Sequence, residues 1–209
     1  VGYFTTKSND MTSLSKLNYR DFINRWRLEK KNPDLEKSEP VKPITWWIEN
    51  TTPIEWRDTI RDAVLTWNTS FEKAGFKNAL EVKVQPDDAD WDAGDINYNV
   101  LRWTSSPKPP FGGYGPALAN PLTGEILGSD IMLEFVFMKN RWSYDTLFTQ
   151  GTMRHGETTN TGELNCSLGH EIQQNLMLAK GLASGDKIED KEMLRQGLTQ
   201  LVLHEVGHT

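Results

Sequence analysis

Ile44-Thr45-Trp46-Trp47-Ile48, then Thr52-Pro53-Ile54-Glu55, then Leu80-Glu81-Val82-Lys83-Val84 is the stretch from which the fold is read. The first five residues are all β-branched or aromatic, the composition of a buried strand. Thr52 offers a helix cap, Pro53 suits the first helical position, and Glu55 puts an acid in the first turn. A long helix is therefore predicted, with Ile60, Val64, Trp67 and Phe71 on one face and Gly75 closing it. Leu80 to Val84 reads as a second strand. Strand, helix, strand in this order predicts a crossover between parallel strands, since a tight turn cannot join a parallel pair.

Outward from this unit, Ile96 to Trp103 reads as a third strand, with Ile96, Tyr98 and Val100 alternating against polar partners. The run Asp87 to Asp95 resembles a calcium loop only superficially. Counted from Asp88, the glycine position is Ala93 and the closing acid would fall at Asn99, so it reads as a solvated acidic loop. After a Pro- and Gly-rich loop at 105–116, Ala117 to Asn120, a turn at Pro121 to Gly124 and an apolar run from Glu125 to Phe137 read as a hairpin. Its proline-flanked first arm is expected at a sheet edge. Residues 140–163 are irregular; Leu164 to Ala183 and Ile188 to Thr209 look helical, separated by Gly185. The expected class is α+β in three layers: a twisted mixed sheet with an antiparallel edge strand, a long crossover helix and a last helix.

Residues 1–40 differ in character. A short apolar run at Gly2 to Thr6 precedes Tyr19 to Leu28, which is ambiguous between helix and strand. Glu29 to Lys42, with Pro33, Pro40 and Pro43 on or beside it, reads as a linker, placing a boundary near residue 40.

The 209 residues are 37% hydrophobic, enough for a substantial core, and carry a net charge of −6. No basic cluster offers itself to phosphates, so nucleic acid is not an expected partner. The one cysteine, Cys166, cannot pair internally and leaves the redox compartment open. No run approaches the length and apolarity of a transmembrane helix. The chain starts at Val1 and stops within a helical pattern without a stop signal, which reads as a fragment of something longer.

Chemistry concentrates in His204-Glu205-Val206-Gly207-His208-Thr209. Successive helical residues turn by about 100°, so side chains four apart face nearly the same direction, one turn apart. If the pattern of Leu194, Leu198, Leu201 and Val202 carries on as helix, the two imidazoles aim at one point. Zinc takes neutral imidazole nitrogens, and a catalytic zinc site keeps a position open for water. Glu205 then stands where a general base is needed for attack of water on a peptide carbonyl. Gly207 costs about 1 kcal/mol relative to alanine inside a helix, an odd choice unless the backbone approaches something closely or the helix has a special packing need.

His204 to Thr209 resembles the first half of the long metzincin zinc signature. Further along the chain, Gly2-Tyr3-Phe4-Thr5, Phe22 to Lys30, Ile54-Glu55-Trp56-Arg57, Trp67-Asn68, Phe71 to Phe76 and Pro121 to Ile126 together resemble a bacterial family of large secreted or envelope-associated zinc-dependent metallopeptidases. The resemblance covers nearly the whole chain. It implies a zincin, metzincin-like upper subdomain at 41–209, truncated at its C-terminus, preceded at 1–40 by the tail of another domain plus a linker. It also implies His204 and His208 as zinc ligands, Glu205 as general base, a third ligand beyond Thr209, and a secreted or envelope location. The hairpin arm Ala117, Leu118, Ala119 and Asn120 would be the substrate-binding edge.

The expected activity is hydrolysis of peptide bonds in a protein or peptide substrate. The longer protein would hold Zn2+, while this chain, with two of the ligands, would bind it weakly or not at all and have little activity of its own. A non-catalytic binding or scaffold module with the same fold is the alternative, and a small-molecule hydrolase is a third. His170-Glu171 starts a false echo of the motif that Gln174 breaks, and His155 lies in a Gly/Thr loop. Trp46, Trp47, Trp56 and Trp67 fall on strand and helix faces and read as core.

Overall fold

The computed structural model describes residues 3–106, 113–135 and 190–209. In chain order its elements are β1 (Thr5–Asn9), β2 (Tyr19–Ile23), β3 (Ile44–Ile48), α1 (Ile54–Thr66), α2 (Asn68–Lys73), β4 (Leu80–Val84), β5 (Asn99–Thr104), β6 (Gly113–Tyr114), β7 (Ala117–Ala119), β8 (Ile126–Glu134) and α3 (Asp190–Gly207). The expected helix at 164–183, and with it Cys166, His155 and His170, lies outside the described residues.

The molecule is α+β with a mixed sheet ordered β4-β3-β5-β8-β6, β7 also pairing with β8. β3 is parallel to β4 and β5, and β5 is parallel to β8. The α1–α2 unit makes the crossover from β3 to β4 that the strand-helix-strand pattern predicts. β6 and β7 run antiparallel to β8, so the short arm of the hairpin does lie at the edge. Gly124, at φ +73°, makes the turn between β7 and β8.

Strand alternation sorts the core. Ile44, Trp46 and Ile48 of β3 are buried on one face, where Leu101, Ile131 and Leu133 join Ile60 and Val64 of α1 and Leu198, Leu201 and Val202 of α3. Each fully buried aliphatic side chain there contributes about 1.5–3 kcal/mol. Trp47 points to the opposite face and meets Trp91 and Tyr98, which stack on each other at 3.8 Å. The described residues thus supply a helical layer and the sheet, with Trp91 and Tyr98 of the loop between β4 and β5 packed on the far face.

Three local expectations need correction. Thr52 is not the cap of α1: Pro53 holds that position without a side-chain bond, and the Thr52 hydroxyl is buried without a hydrogen-bond partner. The Arg57 guanidinium instead ties the turn before the helix, donating to the carbonyls of Thr52 (2.8 Å) and Asn50 (2.7 Å). The third strand begins at Asn99, not Ile96. Asp95 accepts from the Asn97 and Tyr98 amides through its side chain and carbonyl, which folds 95–98 into a turn. The long helix is two helices meeting at Trp67, whose amide bonds back three residues to Val64.

Tyr19 to Leu28, ambiguous in sequence, contributes β2, which pairs antiparallel with β1. Beyond it the chain is tied to the main sheet: Arg25 donates to the Gly124 carbonyl and accepts from the Ile126 amide. Trp26 meets Trp46 edge to face at 6.5 Å, Leu28 packs on the core, and Ser38 bridges to Phe76. Among the described residues, no helix is long and apolar enough to cross a membrane.

Candidate metal centre

The site is built on the end of α3. Met193, Leu198, Leu201, Val202 and Val206 are buried along the helix, so its core-facing stripe carries into the motif and fixes its rotation. Glu205 then faces inward and is 2% exposed, while His204 and His208 are half-buried.

The Nε2 atoms of His204 and His208 stand 2.7 Å apart, with the rings nearly perpendicular. In that contact one nitrogen carries a proton and the other accepts it. A tetrahedral zinc with bonds of about 2.0–2.1 Å sets its nitrogens roughly 3.3 Å apart, so the two rings share one ion by opening about 0.6 Å, with both ring protons on Nδ1. The donor chemistry, two imidazole nitrogens four residues apart, is the kind zinc takes. Burial holds the His208 imidazolium below its ordinary pKa, which favours the neutral form a metal needs. The His208 Nδ1 is buried without a partner, and the Phe4 ring lies against the imidazole at 5.5 Å between centroids. Helical hydrogen bonding tightens here: the His208 amide donates to the Glu205 carbonyl at 3.1 Å and Thr209 to Val206 at 3.2 Å. α3 itself ends at Gly207, one residue before the second histidine, yet the spacing of four still brings the two rings together.

Glu205 lies against the sheet edge. A Cβ placed on Gly113 would be 2.6 Å from its Oε1, and one on Gly115 would be 3.5 Å from its Oε2. Withdrawal from water pushes the Glu205 carboxyl up to about 7. A carboxyl in that range can both accept and return a proton near neutral pH.

The expected edge residues pair as a strand should: Ala117 with Ser129, Leu118 with Gly128 and Ala119 with Ile126, with an irregularity between Leu118 and Ala119. Asn120 is occupied by the turn, since its amide donates to Glu125 and its carbonyl accepts from Thr123 and Gly124. The edge residues that come close to Glu205 are Gly113 and Gly115, in the segment 105–116 that the sequence predicts as loop. Their signal was present as glycines spaced two apart in a Gly-rich segment. Trp67 packs against the core as its place on the helix face predicts, and it also reaches the motif, donating from Nε1 to the Leu203 carbonyl at 3.0 Å. Among the described residues, no group of three or more His, Cys, Asp or Glu side chains is placed to hold a metal ion.

Compared with known proteins, the chain matches no family model, no curated protein and no solved structure.

Proposed function

We propose that this chain is part of a zinc-dependent endopeptidase of the metzincin kind, with His204 and His208 as two of the zinc ligands and Glu205 as the general base. The observation that carries the reading is the convergence of the two Nε2 atoms at 2.7 Å beside a buried carboxylate. The parallel strands with an antiparallel edge over the last helix, and the resemblance carried by the motif, support the zincin fold. The chemistry that zinc supplies when held there is Lewis acidity, which polarises a peptide carbonyl and acidifies a water.

The chain's own residues do the rest. Glu205 takes a proton from the attacking water as the C–O bond forms, and returns it to the amide nitrogen as the C–N bond breaks. His204 and His208 would serve as neutral ligands through Nε2. The β6–β7 edge offers main-chain groups to an extended peptide, with Gly113 and Gly115 letting that edge approach Glu205. The third ligand, the activity and a secreted or envelope location belong to the longer protein this reading implies.

Replacing Glu205 by Gln in that longer protein tests the assignment. Peptide cleavage should fall by about 10²- to 10⁴-fold with zinc content unchanged. Cleavage at the wild-type rate would sink it.

A further inference from the structure

We infer that Trp67 is a positioning residue that clamps the last turn of α3 and so holds His204 and His208 in register; the inference rests on the metal reading above. A helix end leaves its final carbonyls without partners and frays, and the imidazole pair sits on that end. Trp67 meets this turn in two ways. Its Nε1–H donates to the carbonyl of Leu203, the residue before the first histidine, at 3.0 Å. Its ring also lies against Gly207, the residue before the second histidine: a Cβ there would stand 2.6 Å from Cζ2 and 3.2 Å from Cη2. Gly207 is therefore required by Trp67, which explains a glycine inside the helical motif.

The clamp is braced from behind. Trp67 sits at the junction of α1 and α2, with its amide bonded to Val64 and its carbonyl accepting from Ser70 and Phe71. Its neighbour Asn68 bonds both ways to Leu80, donating to the carbonyl at 3.0 Å and accepting from the amide at 2.9 Å. The crossover helices are thereby fixed to β4, and Trp67 carries that fixity across to α3.

A cavity of about 190 Å³, lined by Trp26, Trp46, Phe71, Leu80 and Val206 among others, borders the ring. Tight packing therefore does not set the ring's orientation on that side, and the hydrogen bond to Leu203 does. A tryptophan acting only as filler would need neither the N–H donor nor a glycine opposite.

The test compares Trp67→Phe, Gly207→Ala and the double variant with the wild-type 209-residue chain. Amide hydrogen exchange is measured without metal, and zinc affinity by titration with zinc alone. Trp67→Phe should speed exchange at 204–209 by about three- to tenfold relative to the middle of α3, and weaken zinc binding by a similar factor. Gly207→Ala should do the same beside Trp67, but add little in the Trp67→Phe background, where the smaller ring leaves room for the methyl group. Unchanged exchange and affinity in Trp67→Phe would overturn the clamp, as would changes that merely follow global stability measured in urea. His204→Ala separates the two ideas: zinc binding indifferent to that change refutes the metal reading, while the exchange results still decide the clamp.

Discussion

Gly113 lies so close to Glu205 that a Cβ at position 113 would stand 2.6 Å from Oε1 and 2.9 Å from Cδ. Leu201 closes the same space, with its Cδ1 at 2.8 Å from that point. Both of these side chains are buried, so an added methyl has to displace the Glu205 carboxyl group, the Leu201 side chain or the edge strand. Gly113→Ala should therefore cost about 1–3 kcal/mol, the usual range for overpacking. Urea unfolding of the 209-residue chain measures it, and a cost near zero would mean that the edge yields freely.

A second prediction concerns acid. Asp130 stands beside Arg102, with Oδ2 3.3 Å from Nη1, yet burial outweighs that attraction and raises its pKa above 3.8. Its Oδ1 is buried without a hydrogen-bond partner. A raised folded pKa means that the native state binds the proton more tightly than the unfolded chain. This group therefore adds stability as pH falls through its folded pKa towards the ordinary carboxylate value, and withholds it at higher pH. Relative to Asp130→Asn, the wild type should gain stability between neutral pH and about 4. Parallel pH series of thermal unfolding for the two proteins check the sign.

The helical layer supplies a third. Leu198 of α3 is fully buried in the cluster with Ile60 and Val64 of α1. Leu198→Ala removes apolar surface and leaves a cavity, so it should cost about 2–5 kcal/mol in denaturant unfolding. A loss below 1 kcal/mol would mean that the helix is not seated on the sheet as described.

Much of this was legible in the chain. Ile44 to Ile48 is a run of β-branched and aromatic residues, Leu80 to Val84 alternates apolar with charged residues, and both are strands in the described structure. The hairpin around Gly124 was legible because a turn between two apolar runs has few other solutions. The site's two imidazoles were legible from their spacing alone. What was hidden involved partners distant in sequence. Trp67 meets Leu203 across 136 residues, and nothing local to either marks the bond. Ile96 and Tyr98 keep the alternation of a strand, but the side chain of Asp95 wins the local competition for backbone donors and turns the chain there. Thr52 has the chemistry of a cap, but Pro53 stands at the boundary instead.

Zinc titration of the metal-free 209-residue chain tests the central claim most directly. Two imidazoles make half of a tetrahedral site, so one zinc should bind per chain, more weakly than micromolar, and His204→Ala and His208→Ala should each abolish it. Stoichiometric zinc held with sub-micromolar affinity, or zinc binding that survives either substitution, would contradict the account.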